Sequence, residues 1–199
     1  MTKKIYCGIG WKYDIPMHLE YYEEIAYSLA SKGYILRTNT NKVGSQAFVN
    51  GVERYSKNKK IPIEELLEVY MPTSKANGKL SAQPGHFNVK TSPYYEDALN
   101  ISETYGEIED AFIQSERDLR AISPFLCLGQ ELNQPFNFMI TGVPIFTLNA
   151  DDYIIDGHGF TGEVIRTIRS ISPNSKVFSY QHKEHRQRIN KLIYMKRAQ

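Results

Sequence analysis

The sequence predicts an α/β protein: one domain whose mostly parallel sheet carries helices on both faces. Three observations lead there. Short apolar runs alternate with amphipathic helical patterns along most of the 199 residues, an order that implies parallel pairing through right-handed crossovers. Glycine-bearing loops fall between strand and helix at 8–14, 39–45 and 156–162, where an open parallel sheet keeps its ligand loops. Apolar residues make up 41% and charged residues 23% of the chain, the balance of a protein with a substantial core and not of a disordered segment.

Each element has its own signal. Residues 3–9 (KIYCGIG) are short, apolar and end in glycine, as a buried first strand does on entering a ligand loop. Pro16 can open the next helix, because its missing N–H costs nothing in a first turn. Leu19, Tyr22, Ile25, Ala26 and Leu29 supply its apolar face, and Gly33 closes it. A second strand is expected at 34–38, a helix at about 45–56 weakened by Gly51, and a third strand at 66–71. Residues 72–93, rich in Pro, Gly, Ser, Lys and Asn, read as a long irregular, lid-like loop beside the site. Helical patterns resume at about 93–104 and 108–122, and a strand follows at 136–142. Residues 144–155 form a small β excursion, a glycine loop and helix follow from 156, and 176–180 is the last strand.

Composition narrows the setting. Two cysteines, Cys7 and Cys127, make neither a disulfide framework nor a CxxC metal site, which points to a reducing cytoplasm. No apolar run is long enough to cross a bilayer and the N-terminus lacks a secretion signal, so no membrane partner is expected. The net charge of +2 hides an asymmetry: residues 183–199 hold six Lys/Arg against Glu184, leaving 18 basic and 21 acidic side chains before them. A basic tail can be a nucleic-acid contact or the solvated side of a terminal helix packed through Ile189, Leu192 and Ile193.

Of the three loops, 156–162 (DGHGFTG) is the most suggestive. Gly157, Gly159 and Gly162 stand directly ahead of a helix, whose N–H groups and dipole can hold an anion. Thr161 adds a hydroxyl there, and His158 is a donor inside the loop. Glycine is equally an ordinary turn device. The first loop offers Gly8 and Gly10 but no third glycine in register, so it is not a dinucleotide-dehydrogenase fingerprint. There is no GxxxxGK[ST] loop either. No cofactor is indicated, and His182-x-x-His185 lacks the further ligands that a metal site needs.

The stretches YCGIG, LASKGYILRT, GSQAFVNGV, EVYMP, FLCLGQELNQPFNFMITG and GHGFTGEVIRTI occur in a familiar order and spacing. Through them the chain resembles, over about residues 4–180, phage proteins similar to DNA-processing protein A (DprA-like). These belong to the SLOG superfamily, which also contains the "lonely guy" phosphoribohydrolases. The most specific block is 125–142, where Leu128-Gly129-x-x-Leu132-Asn133-x-Pro135 precedes a strand. The resemblance implies a Rossmann-like SLOG domain over 1–182, with 183–199 as a basic C-terminal extension. It further implies a phage origin, action in the host cytoplasm on nucleotide signals or nucleic-acid intermediates, and a homo-oligomer. A nucleotide or nucleotide-derived molecule would be the ligand, bound at the carboxyl rim of the sheet.

The departures from that family matter. Its second loop typically has a glycine pair and then Gly-Ala-Asp, whereas here Asn39 and Thr40 precede Gly44-Ser45-Gln46. Asn39 and Asn41 can adopt left-handed turns and donate amide hydrogen bonds, and Lys42 can meet a phosphate as a point charge. Trp11 and Lys12 stand where the family has Ser-Arg; Trp11 can stack on a base or be buried for structure. The phosphoribohydrolase glutamate would fall three residues after Thr161, at Val164, and the acid sits one place earlier as Glu163. That shift turns a helical side chain by about 100°. Glu163, with Arg117 or Arg120 from the preceding helix, could serve as an acid–base pair, or be an exposed helix carboxylate. Two further readings are thus an N-glycosidic hydrolase of nucleoside monophosphates and a binder of single-stranded DNA. The DNA binder would use the tail with Lys57, Lys59 and Lys60.

Overall fold

A computed structural model describes residues 3–11, 13–40, 43–73, 75–76, 79–80, 82–105, 114–143, 145–149, 152–155 and 160–194. From β1 (Lys4–Ile9) the chain passes through α1 (Pro16–Ser31) to β2 (Tyr34–Asn39), and through α2 (Gly44–Lys59) to β3 (Leu67–Met71). A small antiparallel hairpin, β4 (Lys75–Ala76) and β5 (Lys79–Leu80), precedes β6 (His86–Asn88). Helices α3 (Tyr95–Tyr105) and α4 (Gln114–Leu128) lead on to β7 (Phe138–Thr141). A second hairpin, β8 (Ile145–Asn149) and β9 (Asp152–Ile155), then α5 (Phe160–Ile171), precede β10 (Lys176–Ser179), and α6 (Lys183–Tyr194) follows.

The main sheet has six strands in the order β10-β7-β1-β2-β3-β6, all parallel. β1 is central, with Cys7 opposite Arg37 of β2 and Met139 of β7. Its side chains alternate between two cores, the usual consequence of a strand covered on both sides. Tyr6 faces the first, with Tyr22, Ile25, Leu29, Phe48, Val52 and Ile189 from α1, α2 and α6. Ile5, Cys7 and Ile9 face the second, with Leu99, Ile122, Phe125, Val164 and Ile168 from α3, α4 and α5. This is the α/β fold that the alternating pattern implies, a single Rossmann-like domain.

Local details correct the sequence reading in three places. Gly51 is not a weak point of α2: a Cβ there would lie 2.2 Å from the Glu23 carbonyl oxygen, so glycine lets α1 and α2 cross closely. The helix expected to end at 122 continues through Pro124 to Leu128, because Phe125, Leu126 and Leu128 are all buried and outweigh the lost backbone bond. The 72–93 stretch is not irregular throughout. Residues His86–Asn88 pair with β3 as an edge strand, and His86 and Val89 are buried. Gly33 does close α1, in the left-handed conformation (φ 77°) that favours glycine. α6 packs Ile189 and Ile193 against the first core, with Lys183, Arg188 and Lys191 exposed.

Candidate functional site

The order of strands reverses between β1 and β7, since from β1 the chain builds toward β6 on one side and from β7 toward β10 on the other. In an open parallel sheet this switch point leaves a crevice beyond the carboxyl ends of the strands. Here it lies above Ile9 and Thr141, the last paired residues of the two strands. α1 and α2 begin at the same rim, each following a parallel strand, and α5 opens there for the same topological reason.

Three glycines close around this crevice. A Cβ on Gly10 would lie 2.1 Å from Gly44 Cα, and one on Gly44 would lie 2.4 Å from Gly10 Cα. A Cβ on Gly142 would lie 2.4 Å from the Tyr22 hydroxyl and 2.7 Å from Asp14 Oδ1. The backbone is therefore bare on three sides, and the centre is filled by the Asp14 carboxylate. Its Oδ2 accepts the Trp11 backbone N–H at 2.6 Å, and its Oδ1 accepts the Tyr22 hydroxyl at 2.9 Å and faces His18 Nδ1 at 3.1 Å. The Asp14 side chain is fully buried. Burial, and then the adjacent carboxylate, push the Tyr22 phenol well above its ordinary value, so it stays a donor.

An anion bound at this position would take the same Trp11 N–H. The glycine cradle thus holds a carboxylate of its own. Nothing in the sequence marks Asp14 out: it is one acid in a polar loop, and only the spacing back from the Pro16 helix start hints at a loop-closing residue.

The expected ligand residues fall into three groups. Gly8, Gly10, Asn39, Gly44, Ser45 and Gly162 are described and buried. Gly8 is a packing glycine, with Leu36 and Phe48 at 2.9 Å from where its Cβ would be, and Ser45 Oγ donates to Asn39 Oδ1 at 2.9 Å. Trp11 and Thr161 are half-buried and reach the rim. Trp11 meets Tyr13 edge to face at 4.8 Å, and Tyr13 is 61% exposed. Lys12, Asn41, Lys42, Gly157, His158 and Gly159 lie outside the described residues.

Glu163 and Arg117 are not brought together. Glu163 is buried, so the reading of an exposed helix carboxylate is corrected; it accepts the Ser102 hydroxyl at 2.5 Å, between α5 and α3. Arg117 is half-exposed and stands 4.0 Å from the exposed Glu96. The arginines whose charges act on Glu163 are Arg120 and Arg166. Burial raises the Glu163 carboxyl above its ordinary 4.5, against the opposing pull of Ser102 and the two arginines.

A carboxyl raised on folding holds its proton more tightly in the folded state than in the unfolded one. Its contribution to stability is full below 4.5 and is lost as pH rises through the folded value. Glu163→Gln keeps an acceptor for Ser102 and removes the charge. The variant is expected to be more stable than wild type at pH 8 and to lose the advantage at pH 4. Urea melts across that range check this, and parallel pH profiles for the two proteins would refute it.

His185 is committed to structure. Its Nδ1 accepts the Ser179 backbone N–H at 3.0 Å, and burial, then His182, lower its pKa to about 4. Among the described residues no three His, Cys, Asp or Glu gather as metal ligands. Cys7 and Cys127 are buried thiols, pushed up by burial and so poor nucleophiles. No described helix is long and apolar enough to cross a membrane. Compared with models of known protein families, with curated proteins and with solved structures, the chain has no match in any of the three.

Proposed function

We propose that the protein binds a nucleotide or nucleotide-derived small molecule at the carboxyl rim of its sheet, across the β1–β7 switch point. The observation that carries this reading is the meeting of Gly10, Gly44 and Gly142, where only glycine fits, beside the open Trp11–Tyr13 aromatic pair. The base stacks on that pair, since a nucleobase offers a flat face and a polar edge. Asp14 already fills the deepest position, so the anionic part of the ligand lies further out, at the N-termini of α2 and α5. Among the described residues no side chain caps the α2 terminus and no acid stands in its first turn, and N–H groups at a helix start suit an anion. Lys42 and Thr161 stand in sequence beside these two helix starts and add donors. The resemblance to DprA-like phage proteins of the SLOG superfamily fits this placement, and a phage protein of this kind would act on host nucleotide signals or nucleic-acid intermediates.

A thermal-shift screen with nucleotides, cyclic dinucleotides, NAD-derived compounds and short oligonucleotides tests the reading. A ligand at a hundred times its dissociation constant adds about 2.7 kcal/mol of stability. For the best hit, Trp11→Ala is expected to weaken binding by roughly 1–3 kcal/mol, the worth of one base stacked on an aromatic ring. No shift from any nucleotide, or full affinity in Trp11→Ala, would refute it. Steeply salt-dependent binding of oligonucleotides alone, abolished by changing exposed Lys183, Arg188 and Lys191 to Gln, would assign the protein to single-stranded DNA instead.

A further inference from the structure

The block of sequence most specific to the family resemblance, around Leu128-Gly129-x-x-Leu132-Asn133, takes no part in the rim. It forms one wall of a cavity of about 390 Å³ on the opposite face of the sheet, between α4 and strands β2, β3 and β6. That is the size of a small-molecule site.

The floor is a buried ion pair. Arg37, 1% exposed, donates from Nε to Glu68 Oε2 at 2.6 Å, and the Tyr70 hydroxyl donates to the same oxygen at 2.9 Å. Among the described residues nothing donates to the other carboxylate oxygen, Oε1, although the Glu68 side chain is only 12% exposed. Arg37 also donates through Nη1 to the Gln134 carbonyl at 2.5 Å and, at a long 3.5 Å, through Nη2 to the Gln134 side chain. The Tyr70 hydroxyl also lies within hydrogen-bonding reach of the guanidinium, so that among the described residues one of its five N–H groups is left over. A buried pair of this kind adds little net stability compared with apolar residues of the same size, so its place at the floor of a cavity calls for another reason.

The walls are aromatic. Tyr70 stacks on Phe125 at 5.7 Å and 21° and tilts toward Phe87 at the same distance. Tyr94 lines the cavity and is 37% exposed. The loop is held in an unusual shape: Gly129 has φ 80°, and a Cβ on it would lie 2.4 Å from Arg37 Nη2. Leu132 adopts φ 52°, a left-handed conformation rare for a branched residue and one that clusters at binding sites. The charges on the lining, Lys3 and Arg37 against Glu68 and Glu131, cancel.

From these features we infer that the cavity is a second ligand site, separate from the rim, for an uncharged planar heterocycle with an N–H beside an acceptor, such as the edge of a nucleobase. The N–H meets Glu68 Oε1, the acceptor meets the spare Arg37 N–H, and the ring lies among Tyr70, Phe87 and Tyr94. Cancelled charge gives a phosphate no advantage here.

Titration calorimetry with uridine and guanosine, against 3-methyluridine and 1-methylguanosine, tests the assignment without any phosphate present. The unmethylated nucleosides are expected to bind at least about tenfold more tightly, because methylation removes the N–H that a carboxylate would accept. Glu68→Gln should weaken them similarly. Tyr94→Ala, at the exposed mouth where folding is not at stake, should weaken them several-fold. No binding by either nucleoside, equal binding of the methylated forms, or full affinity in Tyr94→Ala would overturn the assignment.

Discussion

Arg37→Met is expected to destabilise the fold by about 3 kcal/mol, the lower end of the cost of leaving one member of a buried ion pair behind. The lower end applies because Glu68 keeps some contact with solvent through the cavity, its side chain being 12% exposed. The loss has two parts. Glu68 keeps a buried charge with Tyr70 as its remaining donor among the described residues, and the Gln134 carbonyl loses the guanidinium that fixes the 129–134 loop. In a domain of this length, 3 kcal/mol lowers the melting temperature by roughly 6–12 °C. Thermal melts of Arg37→Met and of the double variant Arg37→Met/Glu68→Leu decide the matter. If the uncompensated charge is the cause, the double variant recovers part of the loss; a double variant worse by the sum of both changes would mean the pair acts through packing alone.

Phe48→Ala is expected to cost about 3–5 kcal/mol, the range for removing a large aromatic from a close-packed interior. Phe48 is fully buried, stacks on Tyr22 at 4.7 Å and 12°, and meets Tyr6 edge to face. It also fills the space that Gly8 leaves above β1. The effect should therefore reach the rim: without Phe48 the Tyr22 ring loses its stacking partner, and its hydrogen bond to Asp14 loosens. Urea denaturation measures the stability, and Phe48→Leu should retain more than half of it. A loss under about 1 kcal/mol in Phe48→Ala would show that the interior collapses around the gap.

The fold was legible because its signals are local. KIYCGIG ahead of a Pro16 helix start, and a Gly33 stop ahead of YILRT, announce strand, helix and strand without reference to distant contacts. What stayed hidden depends on what packs against what. Gly51 reads as a poor helix residue until the Glu23 carbonyl is seen against it. Glu163 reads as a solvent-facing acid until Ser102 arrives from a helix some sixty residues earlier. Asp14 is the largest omission at the site: its role depends on Gly44 and Gly142, which reach it from the start of α2 and the end of β7. Of the anticipated contacts, Trp11 and Thr161 lie where a rim ligand would touch them, while Gly8 and Ser45 are enclosed in the interior. β6 escaped notice because three residues inside a stretch rich in Pro, Gly and Lys carry too short an alternation to register.

That same strand has a consequence for how copies of the chain behave at high concentration. β3 reads Leu-Glu-Val-Tyr-Met, with the strand formers Val69 and Tyr70 side by side, and uncovered it would offer a neighbouring molecule a ladder of free amides. β6 covers part of that ladder, its pairing extended by the Val69 N–H bonded to the Gly85 carbonyl, and then turns away at once into Val89–Thr91. The new border is three residues long and bounded by Pro84 and Lys90, too brief to seed a further strand. By ending early, β6 gives this side of the sheet a stop against intermolecular β-pairing.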